Sequence, residues 1–182
     1  MTQAKPGDFY RFMRNAGGGG GHQLSIENFR AVTTVCRVMP RDVLSYEKWS
    51  GEDFQIYGPK GPYCPELYFD GTELPGGVKK LSLSVTWQDQ GWGNRKGELF
   101  LKLMRPVGTD EQPVEVAERW ELFGIAEHYE KSSQIVIQDH PVVAQGKKGD
   151  FYRFMRDAGG GGGHQLRVKN FRAVATVCRV MN

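Results

Sequence analysis

The sequence predicts an all-β fold, an antiparallel β-sandwich, and three observations carry that prediction. The first is a duplication: residues 5–40 read KPGDFYRFMRNAGGGGGHQLSIENFRAVTTVCRVMP and residues 147–182 read KKGDFYRFMRDAGGGGGHQLRVKNFRAVATVCRVMN. Of 36 aligned positions 29 are identical, at a constant offset of 142. A period of that size is one ordinary domain, so the chain reads as one module plus a second copy of its end. The second observation is that aromatic and β-branched residues flank five consecutive glycines in each copy, a run that no helix or strand interior tolerates. The third is the alternation of Leu24 and Ile26 with Gln23, Ser25 and Glu27, the period of a half-buried strand.

Taken in order, DFYRFMR (8–14 and 150–156) is a strand, because its aromatic residues show no 3.6-residue period. Gly17–Gly21 and Gly159–Gly163 are then a loop or tight connection. HQLSIENF follows as a half-buried strand, and RAVTTVCRVM, nearly continuous in apolar and β-branched residues, as a longer and more buried one. The unit is therefore a hairpin, strand–glycine loop–strand, whose second arm is one long strand or a bent pair. Residues 1–40 are expected to be an extra copy of this terminal hairpin, packed on the main module or on a neighbouring chain. Residues 41–182 are expected to form the principal sandwich module.

Comparison of the copies supports the facing of the strand. Leu24/Leu166 and Ile26/Val168 stay apolar, while Ser25 becomes Arg167 and Glu27 becomes Lys169. Change on one face alone fits drift on a solvated surface. It also fits Glu27 facing Arg167 or Lys169 across a sheet, a pairing worth about 0.2–1 kcal/mol.

A fainter echo links VTWQDQGWGNRKGELFLKLMR (85–105) to IVIQDHPVVAQGKKGDFYRFMR (135–156). Both run from a β-rich strand through Gln-Asp and a loop into an aromatic-bearing strand, which suggests a sandwich of related hairpins. Between them, residues 113–130 fit a short helix through Val116, Trp120 and Phe123, or two strands; the strand reading is favoured. Residues 41–77, rich in Pro, Gly and aromatics, are expected to be loops with short strands.

Composition excludes several function classes. A net charge of +3 with scattered Lys and Arg gives nucleic acid little to hold. No apolar run approaches the roughly 18 residues that cross a bilayer. Neither nucleic acid nor membrane is therefore an expected partner. Three cysteines without a C-x-x-C pair argue against a disulfide framework and a zinc site. Cys36 and Cys178, each set between valines (Val35 and Val38, Val177 and Val180), read as buried small hydrophobes. The odd count and the absence of a signal-like start lean towards the cytoplasm.

The candidate binding constellation is Trp87, Asp89, Trp92, Asn94 and Arg95. A sugar ring offers a C–H face that stacks on an indole and hydroxyls that bond to carboxylates and amides, and this loop supplies both group types. The alternative is that Trp87 belongs to the core and that QDQGWGN is a turn whose Asp and Asn bond their own backbone. The glycine loops can expose successive N–H groups to an anion, but a strand-like sequence follows them, which excludes a dinucleotide fingerprint. His22, His164, His128 and His140 lack metal-ligand spacing, and Glu52-Asp53 and Asp110-Glu111 read as solvated pairs. No catalytic residue, cofactor or metal is expected, and the chain is read as non-enzymatic.

The segment SVTWQDQGWGNRKGELFL resembles a "DQGW" module of some fungal and protist proteins, and GDFYRFMRDAGGGGGHQLRVKNFRAV is similar to the last strands of galactose-binding-like β-sandwiches. The resemblance covers about residues 80–182. It implies a jelly-roll sandwich and recognition of a glycan or protein ligand. The expected function is a lectin-like, carbohydrate-binding module; the alternative is a structural repeat that self-associates into homo-oligomers through its duplicated terminal hairpins.

Overall fold

A computed structural model describes residues 42–108 and 111–180, all within the unit Met39–Asn182. The first copy of the repeat lies outside the described residues, and with it the expected packing of residues 1–40, the pairing of Glu27, and Cys36.

The described residues form β1 (Asp42–Ser50), β2 (Phe54–Tyr57), β3 (Glu66–Asp70), β4 (Gly77–Asp89), β5 (Glu98–Arg105), β6 (Val114–Arg119), β7 (Lys131–Ile137), a helical turn α1 (Pro141–Ala144), β8 (Phe151–Asp157) and β9 (Gln165–Val180). One sheet runs β1-β9-β4-β7, with β2 also paired to β9; the other runs β3-β8-β5-β6. Every pairing is antiparallel. The chain crosses between the sheets at every step except β1 to β2 and β5 to β6, which makes the architecture a jelly-roll sandwich. The all-β antiparallel sandwich read from the sequence is the fold observed.

Within residues 150–180 the expected order of strand, glycine loop and long strand is present, but the two strands do not pair as a hairpin. β8 lies in the second sheet between β3 and β5, and β9 lies in the first between β1/β2 and β4. The glycines carry the chain across the sandwich. Both strands point apolar residues, Tyr152 and Phe154 from β8 and Leu166 and Val168 from β9, into one core. Side-by-side pairing would leave the second layer without a central strand, so the crossing buries more. The echoed units behave alike: β4 to β5 and β7 to β8 each cross between sheets, and the two crossings lie antiparallel to one another.

β9 is one strand with a kink. Leu166 and Val168 are buried, then Phe171, Ala173, Ala175 and Val177, so the inward side changes from even to odd positions. Asn170 makes the change, at φ 53°. Asn170 and Phe171 together span the register shift opposite Ser84–Thr86 of β4, a β-bulge that admits one extra residue. β1 and β2 are interrupted at the same level, where Asp53 accepts from the Asn170 N–H at 2.9 Å and Gly51 donates to the Phe171 carbonyl at 3.3 Å.

The core joins the odd positions Leu81, Leu83, Val85 and Trp87 of β4 to Leu99, Leu101 and Leu103 of β5 and to a ring cluster of Trp49, Phe69, Tyr152, Phe154 and Phe171. Strand β8 is clamped at both faces of its start. Asp150 takes two bonds from the Arg105 guanidinium at 2.8 and 2.9 Å, and Arg153 holds Asp70 with two bonds at 2.8 Å.

Residues 113–130 follow the strand reading only as far as Arg119; beyond it WELFGIA is a loop, with Glu121 at φ 48° and Gly124 at φ 81°. Residues 41–77 hold a nine-residue strand, β1, longer than expected. The turn α1, capped by His140, was not expected at all. Cys178 is half-buried and Cys64 exposed. Among the described residues no helix is long and apolar enough to cross a membrane.

Candidate functional site

Strand register sets which connections meet. Asp89 ends β4 opposite Leu166 near the start of β9, Trp87 faces Lys131 at the start of β7, and Glu98 at the start of β5 faces Asp157 at the end of β8. Connections 58–65, 90–97, 120–130 and 158–164 therefore share one end of the sandwich.

The loop 90–97 is built around two side chains. Asp89 is only 1% exposed. Its carboxylate accepts from the N–H groups of Gln90 at 2.5 Å and of Lys96 and Gly97 at 2.9 Å each. Gln90 donates to the carbonyls of Trp92 at 2.9 Å and Asn94 at 2.7 Å, and its Oε1 accepts from the Gln165 N–H at 3.2 Å. The amide also lies 3.2 Å from His164 Nδ1. Asp89 and Gln90 thus fold the loop and tie it to the start of β9.

The five sequence-predicted residues separate accordingly. Trp87 is 2% exposed, packs edge-on against Phe123 and donates to Ser133 Oγ at 3.1 Å. Asp89 is spent on backbone N–H groups. Neither offers a face to a ligand, because Trp87 continues the inward series of β4 and the loop needs an internal acceptor. Trp92, at 70% exposure, and Asn94 remain on the tip of the loop. Arg95 is exposed and ion-paired with Glu127.

Several residues that the sequence reading did not single out join Trp92. Among the described residues the large exposed Trp and Tyr side chains are Tyr46, Tyr57, Tyr63, Trp92, Trp120 and Tyr129, and all except Tyr46 lie at this end. Tyr57 pairs with Gln165 beside His164. A Cβ built on Gly163 would lie 3.9 Å from the Trp92 ring, and one on Gly91 would lie 3.6 Å from the His128 carbonyl, next to Tyr129. On the other sheet Trp120 stacks on Phe100 at 3.9 Å between centroids and leans towards Tyr63 at 6.0 Å. Tyr57, Tyr63 and Trp92 each stand beside a Gly or Pro, whereas Trp120 and Tyr129 do not.

The glycine loop is docked. Gly161 donates to the Gly61 carbonyl, Gly162 to the Pro59 carbonyl, both at 2.9 Å, and Gly159 to Asp157. Lys96 Nζ donates to the Gly160 carbonyl at 2.9 Å. These N–H groups serve protein acceptors, so the loop is a packed crossing rather than an anion cradle. A Cβ on Gly160 would meet the Tyr63 backbone nitrogen at 2.6 Å, which is why this position is glycine.

Beneath Tyr63, two acids face each other. Glu98 accepts from the Tyr63 hydroxyl at 2.9 Å. Burial raises the Glu98 pKa, opposed by that bond and reinforced by Asp157 and Glu121. Burial also raises Asp157, opposed by the Gly159 N–H and reinforced by Glu66. The Tyr63 hydroxyl is pushed up by its own burial and by Glu98.

On the flank, a cleft of about 320 Å³ is lined by Trp87, Arg95, Phe123, Glu127, Lys131 and Ser133. A second, of about 450 Å³, opens between β2 and β3 over Phe54, Tyr68, Phe69 and Arg156. Among the described residues no three His, Cys, Asp or Glu side chains are grouped to hold a metal ion.

No protein-family model matches the chain. No curated protein matches it either. Among solved structures, one of infectious bursal disease virus, Gx strain, superimposes with a TM-score of 0.52 at 12% identity, over 80% of this chain and 36% of that one. The chain thus spans about a third of the viral chain's length. Eiger TNF from S. frugiperda is similar at TM-score 0.41 and 11% identity, over 76% of this chain and 96% of that one. A structure titled "CBM4 structure and function" is similar at 0.40 and 9%, over 71% and 94%. What the viral likeness shows is the fold: this chain is a jelly-roll β-sandwich.

Proposed function

We propose that this chain is a non-enzymatic recognition module of lectin type, binding carbohydrate at the loop end of the sandwich. The observation that carries the reading is the gathering of exposed aromatics there. Among the described residues, five of the six large exposed Trp and Tyr side chains share that end, with Trp92 at its tip. An indole on a loop ordered by Asp89 and Gln90 is held before a ligand arrives, so little ordering entropy is lost on binding. Asn94 beside it supplies amide bonding for hydroxyls, and Arg95, in the flank cleft, supplies a cation. The galactose-binding-like resemblance and the "DQGW" core point the same way.

The test is a glycan array followed by titration of any hit. Trp92→Ala should weaken binding about tenfold or more, as loss of one aromatic stacking surface does, with the thermal midpoint unchanged. A hit whose affinity ignores Trp92→Ala would exclude the loop end as the site.

A second reading, self-association, is favoured by β1. Among the described residues this strand pairs on one side only, with β9, and it exposes Val43, Leu44 and Tyr46. Apolar edge strands are templates for pairing with another chain. Concentration-dependent mass in sedimentation, abolished by Leu44→Lys, would support it; a monomer at all concentrations would end it.

A further inference from the structure

The flank cleft of about 320 Å³ falls at the small end of ligand pockets, which run from roughly 300 to 1,000 Å³. Three elements bring its polar groups together. Lys131 faces Trp87 across the β4–β7 pair, and Ser133 lies two residues further along the same face of β7. Arg95 comes from loop 90–97, which Asp89 and Gln90 fold. Glu127 comes from loop 120–130, and its carbonyl accepts from the Asp89 N–H at 2.7 Å. The residue that orders the loop thus also fixes the backbone of this acid.

Two cations of the cleft share that one acid. Glu127 Oε2 pairs with the Arg95 guanidinium, and Oε1 lies 3.7 Å from Lys131 Nζ. The space between Arg95 and Lys131 therefore accepts a carboxylate. Side-chain exposures of 40%, 30% and 47% for Arg95, Glu127 and Lys131 leave the group open to water. Pairs this exposed are weak, so a second carboxylate can replace the first at little cost. The neighbouring groups add two further requirements on a ligand. Ser133 Oγ accepts from the Trp87 indole at 3.1 Å, which leaves its own proton without an acceptor among the described residues. Phe123 and Ile125, half-buried, give apolar surface beside it.

A carboxylate, an oxygen acceptor and an apolar C–H face are together the groups of a sugar acid. We propose that the cleft takes the uronic acid residue of an acidic glycan. The ligand carboxylate replaces that of Glu127 on Arg95 and Lys131, and a sugar oxygen accepts from Ser133. Glu127 is then an internal stand-in that holds the two cations ready. The assignment rests on the reading of the chain as a glycan-binding module and adds the class of sugar that it selects.

Calorimetric titration of the full-length chain tests it, using oligomers of galacturonic, glucuronic and mannuronic acid, each beside its carboxyl-reduced neutral counterpart. At least one acidic oligomer should bind about tenfold or more tightly than its neutral form, the scale for charge-assisted bonds to a carboxylate. Lys131→Ala and Arg95→Ala should each bring that ratio down towards one. Glu127→Gln keeps the shape, removes the competing charge and should raise it. Lys79→Ala removes an exposed cation at the far end of β4 and should leave it unchanged. A ratio near one, a ratio indifferent to Lys131→Ala and Arg95→Ala, a ratio that fails to rise with Glu127→Gln, or an equal fall with Lys79→Ala would each overturn the proposal. Neutral glycans bound through Trp92 would then leave the module reading standing, whereas a chain that binds no glycan, acidic or neutral, would remove both.

Discussion

Glu98 and Asp157 occupy directly opposed positions on β5 and β8, so two carboxyl groups share one buried corner beneath the loop end. Like charges across a strand pair repel. One Asp157 oxygen accepts from Gly159, and the other, Oδ2, is buried without a hydrogen-bond partner. Burial is the first cause of the upward pKa shift in both acids, and each has a neighbouring acid adding to it.

The sign of the pH effect follows from those shifts. A carboxyl whose pKa is higher folded than unfolded favours the folded state most below its unfolded value. That contribution is lost as pH rises through the folded value. Stability from this pair should therefore decline from mildly acidic pH towards neutrality. Asp157→Asn should flatten that decline in chemical unfolding. It should also stabilise the chain at neutral pH by about 1 kcal/mol, the scale for relieving an unsatisfied buried group. A steeper decline would contradict the assignment.

Asp89→Ala should cost about 3 kcal/mol in urea unfolding, because it strands three backbone N–H groups that the carboxylate now satisfies. Any glycan affinity should fall with it, since the loop bearing Trp92 loses its inner anchor. An unchanged unfolding midpoint would show that the loop does not depend on this carboxylate.

Asn170→Val should cost about 1–2 kcal/mol, because a β-branched residue resists the left-handed backbone of the bulge. Asn170→Gly should be nearly neutral. Equal thermal midpoints for the two variants would mean that β9 does not need this kink.

Gly160→Ala should destabilise by about 1–3 kcal/mol, the range for overpacking. The added methyl meets the Tyr63 nitrogen and the Gly61 carbonyl, both backbone and unable to turn aside. A thermal scan equal to wild type would argue against the close docking of loops 58–65 and 158–164.

Much of the fold was legible because the strands carry their facing in residue order. Leu81, Leu83, Val85 and Trp87 form one series, and that series already marks Trp87 as a core residue rather than a ligand contact. Leu166 and Val168 likewise keep the side predicted for them. The change of side at Asn170 rests on one backbone angle, which the period of the flanking residues does not reveal. The glycine run signals a reversal of the chain, yet whether β8 and β9 pair or part depends on β1, β3, β4 and β5, far away in sequence. For the site, Trp92 was legible as an aromatic among glycines. Tyr63, Trp120 and Tyr129 were not, since register alone brings their loops to one end.

The central place of β9 has a consequence for how the protein is made. Among the described strands it is the last to be synthesised, and β1, β2 and β4 all hydrogen-bond to it. Until its residues leave the ribosome, those earlier strands lack the pairing that β9 gives them, for some seconds at a pace of about 5–20 residues per second. Nascent chains should be most vulnerable to aggregation in that interval, and a chaperone's help would matter most there.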